Sequence, residues 1–312
     1  MRIILGTLNF GQQVNEQIAE RMINLFIESG YNEIDTAYRY GGGKTEVILG
    51  KILSPSRRQQ VFIATKVTPM GNENLRPERV TKQLEESLKR LQTDFVDLLY
   101  LHAPDNKTPI EITLNACENL FMQGKFRELG VSNYAAWQVA DLYHICKSNS
   151  WIKPTIHQGR YNAITRDIEP ELLPMLRYFQ IRLYAYNPLA GGFLTAKYSN
   201  PKKIPKGSRF DLFKPYQNRY WKNVYFKTLK SIKKVCDLYG ISPSEAALRW
   251  LIHHSQMQAV RQDGIIIGAS KIEHLKANLK ACKAGKLPEE IILAFNKAWD
   301  ITRCDSPKYF RD

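Results

Sequence analysis

FVDLLYLH, at residues 95–102, is the stretch that decides the fold, and it is an apolar run that closes on a histidine. Two shorter runs have the same form, EID at residues 33–35 and VFIATK at residues 61–66. Runs of this length and composition are typical of strands buried in a parallel sheet. The carboxyl ends of strands in an α/β barrel converge on one mouth, where active sites lie. We therefore predict that the polar residues closing the three runs meet at such a mouth: Asp35, Lys66 and His102.

Strand-like and helix-like segments alternate along the whole chain. Predicted strands cover residues 2–8, 33–35, 61–66, 95–102, 129–131, 155–158, 182–186 and 265–267. Predicted helices cover residues 15–29, 76–91, 109–123, 135–147, 169–178, 225–239, 243–254 and 272–282. This α/β alternation without a break in composition favours a single (β/α)8 TIM barrel domain over residues 1–312. An open doubly wound sheet is the alternative, and it is disfavoured because no G-x-G-x-x-G follows the first strand.

The connection after the seventh strand is unusually long. From Pro188 to about Trp221, turn residues mix with aromatic side chains and no strand is predicted. Loops of this length are usually functional or disordered. Because this loop leaves the carboxyl end of its strand, it could fold over the barrel mouth. The segment from Leu287 predicts an additional C-terminal helix.

Composition excludes several classes of protein. The net charge is +15, but lysine and arginine are spread along the chain, and the one dense run, residues 227–234, is typical of a solvated helix face. Neither nucleic-acid nor membrane binding is therefore predicted. No apolar stretch approaches the roughly 20 residues that span a bilayer, and the first residues are too short an apolar run for a signal sequence. The five cysteines are scattered without C-x-x-C spacing, so we expect reduced thiols, no metal site and a cytoplasmic location.

A phenol joins the three polar residues, because Tyr40 lies in the loop after the first of their strands. The free phenol has a pKa of about 10, and a nearby lysine ammonium is expected to lower that pKa. We expect Asp35 to keep Lys66 charged and in place, Tyr40 to act as general acid, and His102 to hydrogen-bond a substrate carbonyl. These residues could also have purely structural roles, since a loop tyrosine is usually a packing residue and Asp-Thr near a strand end often caps a helix.

The four residues resemble the Asp–Tyr–Lys–His tetrad of the aldo-keto reductases. Further matching stretches follow in family order: GVSN at residues 130–133, QGRYN at 158–162, YNPLAGG at 186–192 and IIGAS at 266–270. Within that family the chain resembles the aflatoxin-aldehyde (succinic semialdehyde) reductases, through LHAPD at residues 101–105, NRYWK at 218–222 and YFR at 309–311.

The resemblance implies an NADPH-dependent oxidoreductase that delivers hydride to an aldehyde or ketone carbon while Tyr40 protonates the oxygen. Its implied NADPH-binding residues are Asp35, Ser132, Asn133, Gln158, Asn187, Pro188, Leu189, Gly191, Gly192, Lys197, Arg209, Gly268, Ala269, Ser270, Lys271, His274 and Asn278. The last of these lie where a helix begins, and a helix amino terminus favours phosphate. Lys271 or His274 could add charge for a 2′-phosphate.

The resemblance also implies small carboxylated aldehydes, such as succinic semialdehyde, or reactive dialdehydes as substrates. Its implied substrate residues are His102 for the carbonyl, and Tyr216, Arg219 and Arg311 for the carboxylate. Guanidinium groups pair with carboxylates bidentately, although surface arginines would give the same pattern. The chain departs from the subfamily at four positions: Arg39 and Arg160 replace methionine, His274 replaces glutamine, and Asp312 follows the terminal arginine.

The resemblance further implies a homodimer that acts in aldehyde detoxification. An alternative function is a redox-sensing regulatory subunit that binds NADPH and turns over slowly, which an intact tetrad does not distinguish from an enzyme. A nucleic-acid-binding protein is a third hypothesis, and no recognition motif supports it.

Overall fold

The computed structural model of this chain describes residues 1–53, 55–71 and 74–311. Within those residues, eight parallel strands form a closed barrel in sequence order. The strands are β1 (Arg2–Gly6), β2 (Glu33–Asp35), β3 (Phe62–Val67), β4 (Val96–Leu101), β5 (Phe126–Ser132), β6 (Pro154–Arg160), β7 (Arg182–Tyr186) and β8 (Gly264–Gly268). Pairing of β1 with β8, from Arg2 opposite Gly264 to Gly6 opposite Gly268, closes the barrel. The predicted (β/α)8 TIM barrel is confirmed.

Helices surround the barrel and connect its strands. They are α1 (Glu16–Glu28), α2 (Lys44–Ile52), α3 (Pro55–Arg58), α4 (Pro77–Leu91), α5 (Ile110–Met122), α6 (Ala136–Ser148), α7 (Leu172–Tyr178), α8 (Arg209–Leu212), α9 (Lys214–Tyr220), α10 (Asn223–Leu238), α11 (Pro243–His253), α12 (Ile272–Lys283) and α13 (Glu289–Thr302). The additional C-terminal helix, α13, is confirmed, whereas α2, α3, α8 and α9 were not predicted. In the described ranges, no helix is long and apolar enough to cross a membrane.

Strand β4 shows why the deciding run is mainly apolar, with Asp97 as its one charged strand residue, paired with Arg58 at 2.9 Å. Leu98 and Tyr100 belong to the cluster that fills the barrel interior, whereas Leu99 and Leu101 belong to the cluster between barrel and helices. Alternate residues of a strand point to opposite faces, so a strand covered on both faces needs mainly apolar residues on each of them. All six residues of β4 are buried, so neither face of the strand contacts solvent.

The long connection after β7 is packed rather than open. It contains the 3₁₀ turn Ala190–Thr195 and the helices α8 and α9. Its aromatic rings form a cluster with Phe226 of α10: Phe210 lies 4.9 Å from Trp221 and Phe193 lies 5.1 Å from Phe226, measured between ring centroids. Aromatic pairs at such separations stabilise a fold beyond their buried area. The cluster therefore gives the loop a fixed path that returns to the barrel mouth.

Candidate active site

The polar residues predicted to converge do lie together at the carboxyl-terminal mouth of the barrel. Asp35 ends β2, Lys66 is the penultimate residue of β3, and His102 directly follows β4. Tyr40 begins the 3₁₀ turn Tyr40–Gly43 that follows β2. A cavity of about 520 Å³ lies at this mouth, and Asp35, Tyr40 and His102 line it.

A buried ion pair forms the floor of this group. The ammonium of Lys66 donates to Oδ1 of Asp35 and to the carbonyl oxygen of Thr36, each at 2.6 Å. Burial lowers the pKa of Lys66, while the charges of Asp35 and Glu46 act in the opposite direction. The side chain of Lys66 is wholly buried, so its position is fixed by these partners rather than by solvent.

Tyr40 lies directly above this pair, with the Lys66 ammonium 5.1 Å from the centre of its ring. Its pKa is raised well above the ordinary value, mainly by burial and by the charge of Asp35, with Tyr216 and Tyr186 contributing and Arg209 opposing. The predicted lowering of this pKa by Lys66 is therefore wrong. The reason is that burial disfavours the phenolate, and Asp35, which is paired with Lys66 at 2.6 Å, repels it further.

His102 faces Tyr40 edge-on, with the two ring centroids 6.0 Å apart. Burial lowers its pKa well below the ordinary value, and the charges of Lys66, Arg311 and Arg39 lower it further. The imidazole is therefore neutral at pH 7 and carries a single N–H donor. Its Nδ1 is buried and has no hydrogen-bond partner among the described residues. A neutral ring can orient a carbonyl oxygen, which leaves Tyr40 as the better proton donor.

Amide and hydroxyl groups form a bonded network across the floor of the cavity. Gln158 donates to Oδ2 of Asp35 at 2.7 Å. Asn133 donates to the carbonyl oxygen of His102 at 2.9 Å and to the hydroxyl of Ser132 at 3.0 Å, and it accepts from the Tyr186 hydroxyl at 2.8 Å. These groups are already oriented by one another, so they present fixed donors and acceptors to a planar carboxamide.

The residues predicted to bind NADPH divide into two sets. The following line the cavity: Asp35, Ser132, Asn133, Gln158, Asn187, Pro188, Leu189, Gly191, Arg209, Gly268 and Asn278. The others do not: Gly192, Lys197, Ala269, Ser270, Lys271 and His274. The second set includes Ala269, Ser270 and Lys271, which connect the end of β8 at Gly268 to the start of α12 at Ile272.

Lysines lie close to His274 in this second set. Burial lowers the pKa of His274, and the charges of Lys197 and Lys271 lower it further. His274 is therefore mostly uncharged at neutral pH, so the two lysines supply the positive charge there. A helix amino terminus beside two lysines fits a phosphate group.

Four arginines line the cavity: Arg39, Arg209, Arg219 and Arg311. Tyr216 contacts two of them, since the guanidinium carbons of Arg209 and Arg219 are 5.2 Å and 5.5 Å from its ring centre. Within the described part of the chain, Asp35 is the only acidic residue lining the cavity, and Lys66 neutralises it. This charge balance fits anionic ligands.

The cavity also contains residues that the sequence did not predict, among them Gly6, Thr7, Leu8, Asn9, Met70, Tyr186, Phe213, Pro215 and Ile266. Asn9 connects two predicted regions, because it donates to the carbonyl oxygen of Ala269 at 2.9 Å and accepts from Arg209. Its place just after β1, at the same barrel mouth, is the signal that could have identified it.

The residues that depart from the resembled subfamily have different positions. Arg39 is exposed but lines the cavity, and its charge contributes to the lowered pKa of His102. Arg160, at the end of β6, is buried and does not line it; its guanidinium donates to the carbonyl oxygens of Pro307 and Lys308. Asp312 lies outside the described residues.

Comparison with known proteins gives matches along nearly the whole chain. The model of the Aldo/keto reductase family matches residues 2–300. Aflatoxin B1 aldehyde reductase member 2 of Rattus norvegicus is 48% identical over 319 residues, which cover 99% of this chain and 87% of that protein. Aldo-keto reductase family 7 member A3 of Homo sapiens is 46% identical over 320 residues, which cover 99% of this chain and 96% of that protein.

Proposed function

The chain belongs to the aldo/keto reductase family, and on that basis we propose that it reduces small carboxylated aldehydes with NADPH, with Tyr40 as the proton donor. The family membership makes it an oxidoreductase that acts on carbonyl compounds with a nicotinamide cofactor. The observation that carries the proposal is the buried Lys66–Asp35 pair, 2.6 Å apart, beneath Tyr40 in a cavity lined by arginines.

The residues divide the work of the reaction as follows. Bound NADPH supplies the hydride. The neutral His102 donates its N–H to the carbonyl oxygen and holds the carbonyl in place. Tyr40 holds its proton firmly, because its pKa is raised, and gives it to the same oxygen as negative charge develops there. An alkoxide is more basic than a phenolate, so this transfer is favourable, and Lys66 and Asp35 keep the phenol in position.

The preference for NADPH over NADH rests on charge near the start of α12. Lys197 and Lys271 are close enough to lower the pKa of His274, so they place two positive charges in one region. A 2′-phosphate carries the charge that distinguishes NADPH from NADH. The lysines would therefore stabilise NADPH selectively.

The substrate class rests on the arginines that have no carboxylate partner of their own. Among the described residues, no carboxylate lies within 4.0 Å of a guanidinium nitrogen of Arg219 or Arg311, although both line the cavity. We call Tyr216, Arg219 and Arg311 the carboxylate clamp. A substrate carboxylate would satisfy these donors with charge-assisted hydrogen bonds. A homodimer, a cytoplasmic location and a role in aldehyde detoxification also stay predictions.

NADPH oxidation with three aldehydes tests the proposal. We expect turnover of 2-carboxybenzaldehyde and succinic semialdehyde with a KM at least about tenfold below that of uncharged benzaldehyde, since a charged hydrogen bond contributes about 1.5–3 kcal/mol. Turnover of all three aldehydes with equal KM would support the reductase activity but contradict the role of the carboxylate clamp. Tight NADPH binding without turnover of any aldehyde would contradict the enzyme and favour the redox-sensing regulatory subunit.

A further inference from the structure

We propose that Arg160 is a positioning residue that fastens the C-terminal tail, residues 303–311, against the barrel and thereby holds the guanidinium of Arg311 in the cavity. The inference rests on the proposed function, in which Arg311 contacts the substrate carboxylate. Arg160 itself does not line the cavity, so its effect on substrate would pass through the tail.

The burial and hydrogen bonds of Arg160 point to this role. The residue is only 3% exposed, although it carries a permanent charge. Its Nη2 donates to the carbonyl oxygens of two consecutive tail residues, Pro307 and Lys308, the former at 3.2 Å. Hydrogen bonds from a charged donor are shorter and stronger than neutral ones. Because one nitrogen binds two neighbouring carbonyl oxygens, it also fixes the direction of the tail beyond Lys308.

Other contacts fasten the tail on both sides of this point. Lys222, at the end of the long loop, donates to the carbonyl oxygen of Asp305 at 2.8 Å. The hydroxyl of Tyr309 donates to Glu171 at 2.6 Å and accepts from the backbone N–H of Ala136 at 3.0 Å. The tail therefore bridges the long loop and the outer helices before it reaches the mouth.

The path of the tail ends in the cavity. The backbone N–H of Arg311 donates to the carbonyl oxygen of Asn133 at 2.9 Å, and its Nη1 lies 2.7 Å from the sulfur of Met70. Only Tyr309 and Phe310 separate Lys308 from Arg311. Release of the Pro307 and Lys308 carbonyls would leave Tyr309 as the nearest anchor on that side, and the guanidinium of Arg311 would lose its defined position.

Arg160→Met tests this role, because methionine is apolar and keeps much of the side-chain length. We expect the KM for 2-carboxybenzaldehyde to rise about tenfold with kcat nearly unchanged, the pattern of lost ground-state binding. The kcat/KM for benzaldehyde, which lacks the carboxylate, is expected to stay within about twofold, and it reports that the mouth is folded. Arg160→Lys keeps a charged donor and is expected to restore part of the KM.

A comparison with Arg311→Met separates an indirect effect from an independent one. If Arg160 acts through Arg311, the double variant has the same KM as Arg311→Met alone. A double-variant KM raised by the product of the two single-variant effects would overturn the proposal. A wild-type KM for carboxylated aldehydes in Arg160→Met would overturn it as well. In that last case the proposed function would stand, because wild type and Arg311→Met would still differ.

Tryptic cleavage after Lys308 gives a readout that does not depend on the substrate. We expect cleavage of the native protein after Lys308 to be at least about tenfold faster in Arg160→Met, since protection follows the local opening equilibrium. Cleavage between Lys202 and Lys203, on the exposed part of the long loop, is the control and stays unchanged. Equal rates after Lys308 in the two proteins would show that Arg160 does not fasten the tail. Failure of wild type to prefer carboxylated aldehydes would refute the clamp, and the cleavage rates after Lys308 would still decide whether Arg160 fastens the tail.

Discussion

Gly191 packs so closely on Tyr216 that a Cβ atom at Gly191 would lie 2.5 Å from Cδ1 of the tyrosine ring. Gly191 lies in the 3₁₀ turn Ala190–Thr195 with a φ of +69°, and its neighbour Gly192 has a φ of +92°. Among the described residues, no heavy atom beyond those of Gly192 and its chain neighbours lies within 4 Å of the Cβ position at Gly192. The two glycines thus share a left-handed backbone, but only Gly191 makes room for an aromatic ring of the carboxylate clamp.

Alanine at each glycine separates ring contact from backbone strain. Both substitutions place a Cβ in the left-handed region, whereas only Gly191→Ala displaces Tyr216. Overpacking of this kind typically costs about 1–3 kcal/mol. We expect Gly191→Ala to raise the KM for 2-carboxybenzaldehyde at least about fivefold and Gly192→Ala to raise it less than about twofold. Equal KM values for the two variants would show that the Tyr216 contact is unimportant.

Asp35→Asn is expected to destabilise the whole fold. The substitution leaves the ammonium of Lys66 fully buried beside a neutral amide, and breaking a buried ion pair by removing one partner costs about 3–5 kcal/mol. Equilibrium unfolding in urea measures this loss. The double variant Asp35→Asn, Lys66→Met removes both charges and is expected to recover most of the stability. A double variant as unstable as the single one would show that the pair does not account for the loss.

The rate of reduction is expected to be independent of pH between 6 and 9. The pKa of His102 is lowered well below its ordinary value, so the ring is neutral throughout this range. The pKa of Tyr40 is raised well above its ordinary value, so the phenol keeps its proton over the same range. The measurement is kcat for benzaldehyde with saturating NADPH. An inflection near the ordinary histidine pKa, about 6.5, would contradict the neutral His102.

Lys271→Gln is expected to weaken NADPH selectively. Loss of one charge beside a 2′-phosphate should raise the KM for NADPH about tenfold and change the KM for NADH less than about twofold. Lys280→Gln is the matched control, because Lys280 is also exposed but lies in the last turn of α12. Equal changes with the two cofactors would place the 2′-phosphate elsewhere.

The barrel and its mouth could be predicted because the sequence features that indicate them, apolar runs closed by polar residues, are local. Residues 95–102 are apolar apart from Asp97 and the closing His102, and β4 is buried on both faces. The closing residues Asp35, Lys66 and His102 then follow from the rule that carboxyl ends of barrel strands converge. Helix α2 was missed because Gly41, Gly42 and Gly43 precede it, and three glycines are typical of a loop; all three have a positive φ before the helix begins at Lys44.

Features that depend on burial or on distant partners could not be predicted. The pKa of Tyr40 follows from desolvation and from Asp35, and neither the depth of burial nor the net charge of the pair can be read from residue types. The partners of Arg160 lie 147 and 148 residues away along the chain. The resemblance to the subfamily identified Arg160 as unusual, but only the path of the tail shows what the guanidinium contacts.

Single-turnover reduction by the preformed NADPH complex tests the central claim, that Tyr40 donates the proton. Stopped-flow absorbance would compare wild type with Tyr40→Phe, and NADPH fluorescence would measure cofactor binding. General acid catalysis typically contributes about 100- to 10,000-fold, so we expect a loss of that size in the rate of hydride transfer with an unchanged Kd for NADPH. A Tyr40→Phe rate within about tenfold of wild type would contradict the assignment and require another proton donor.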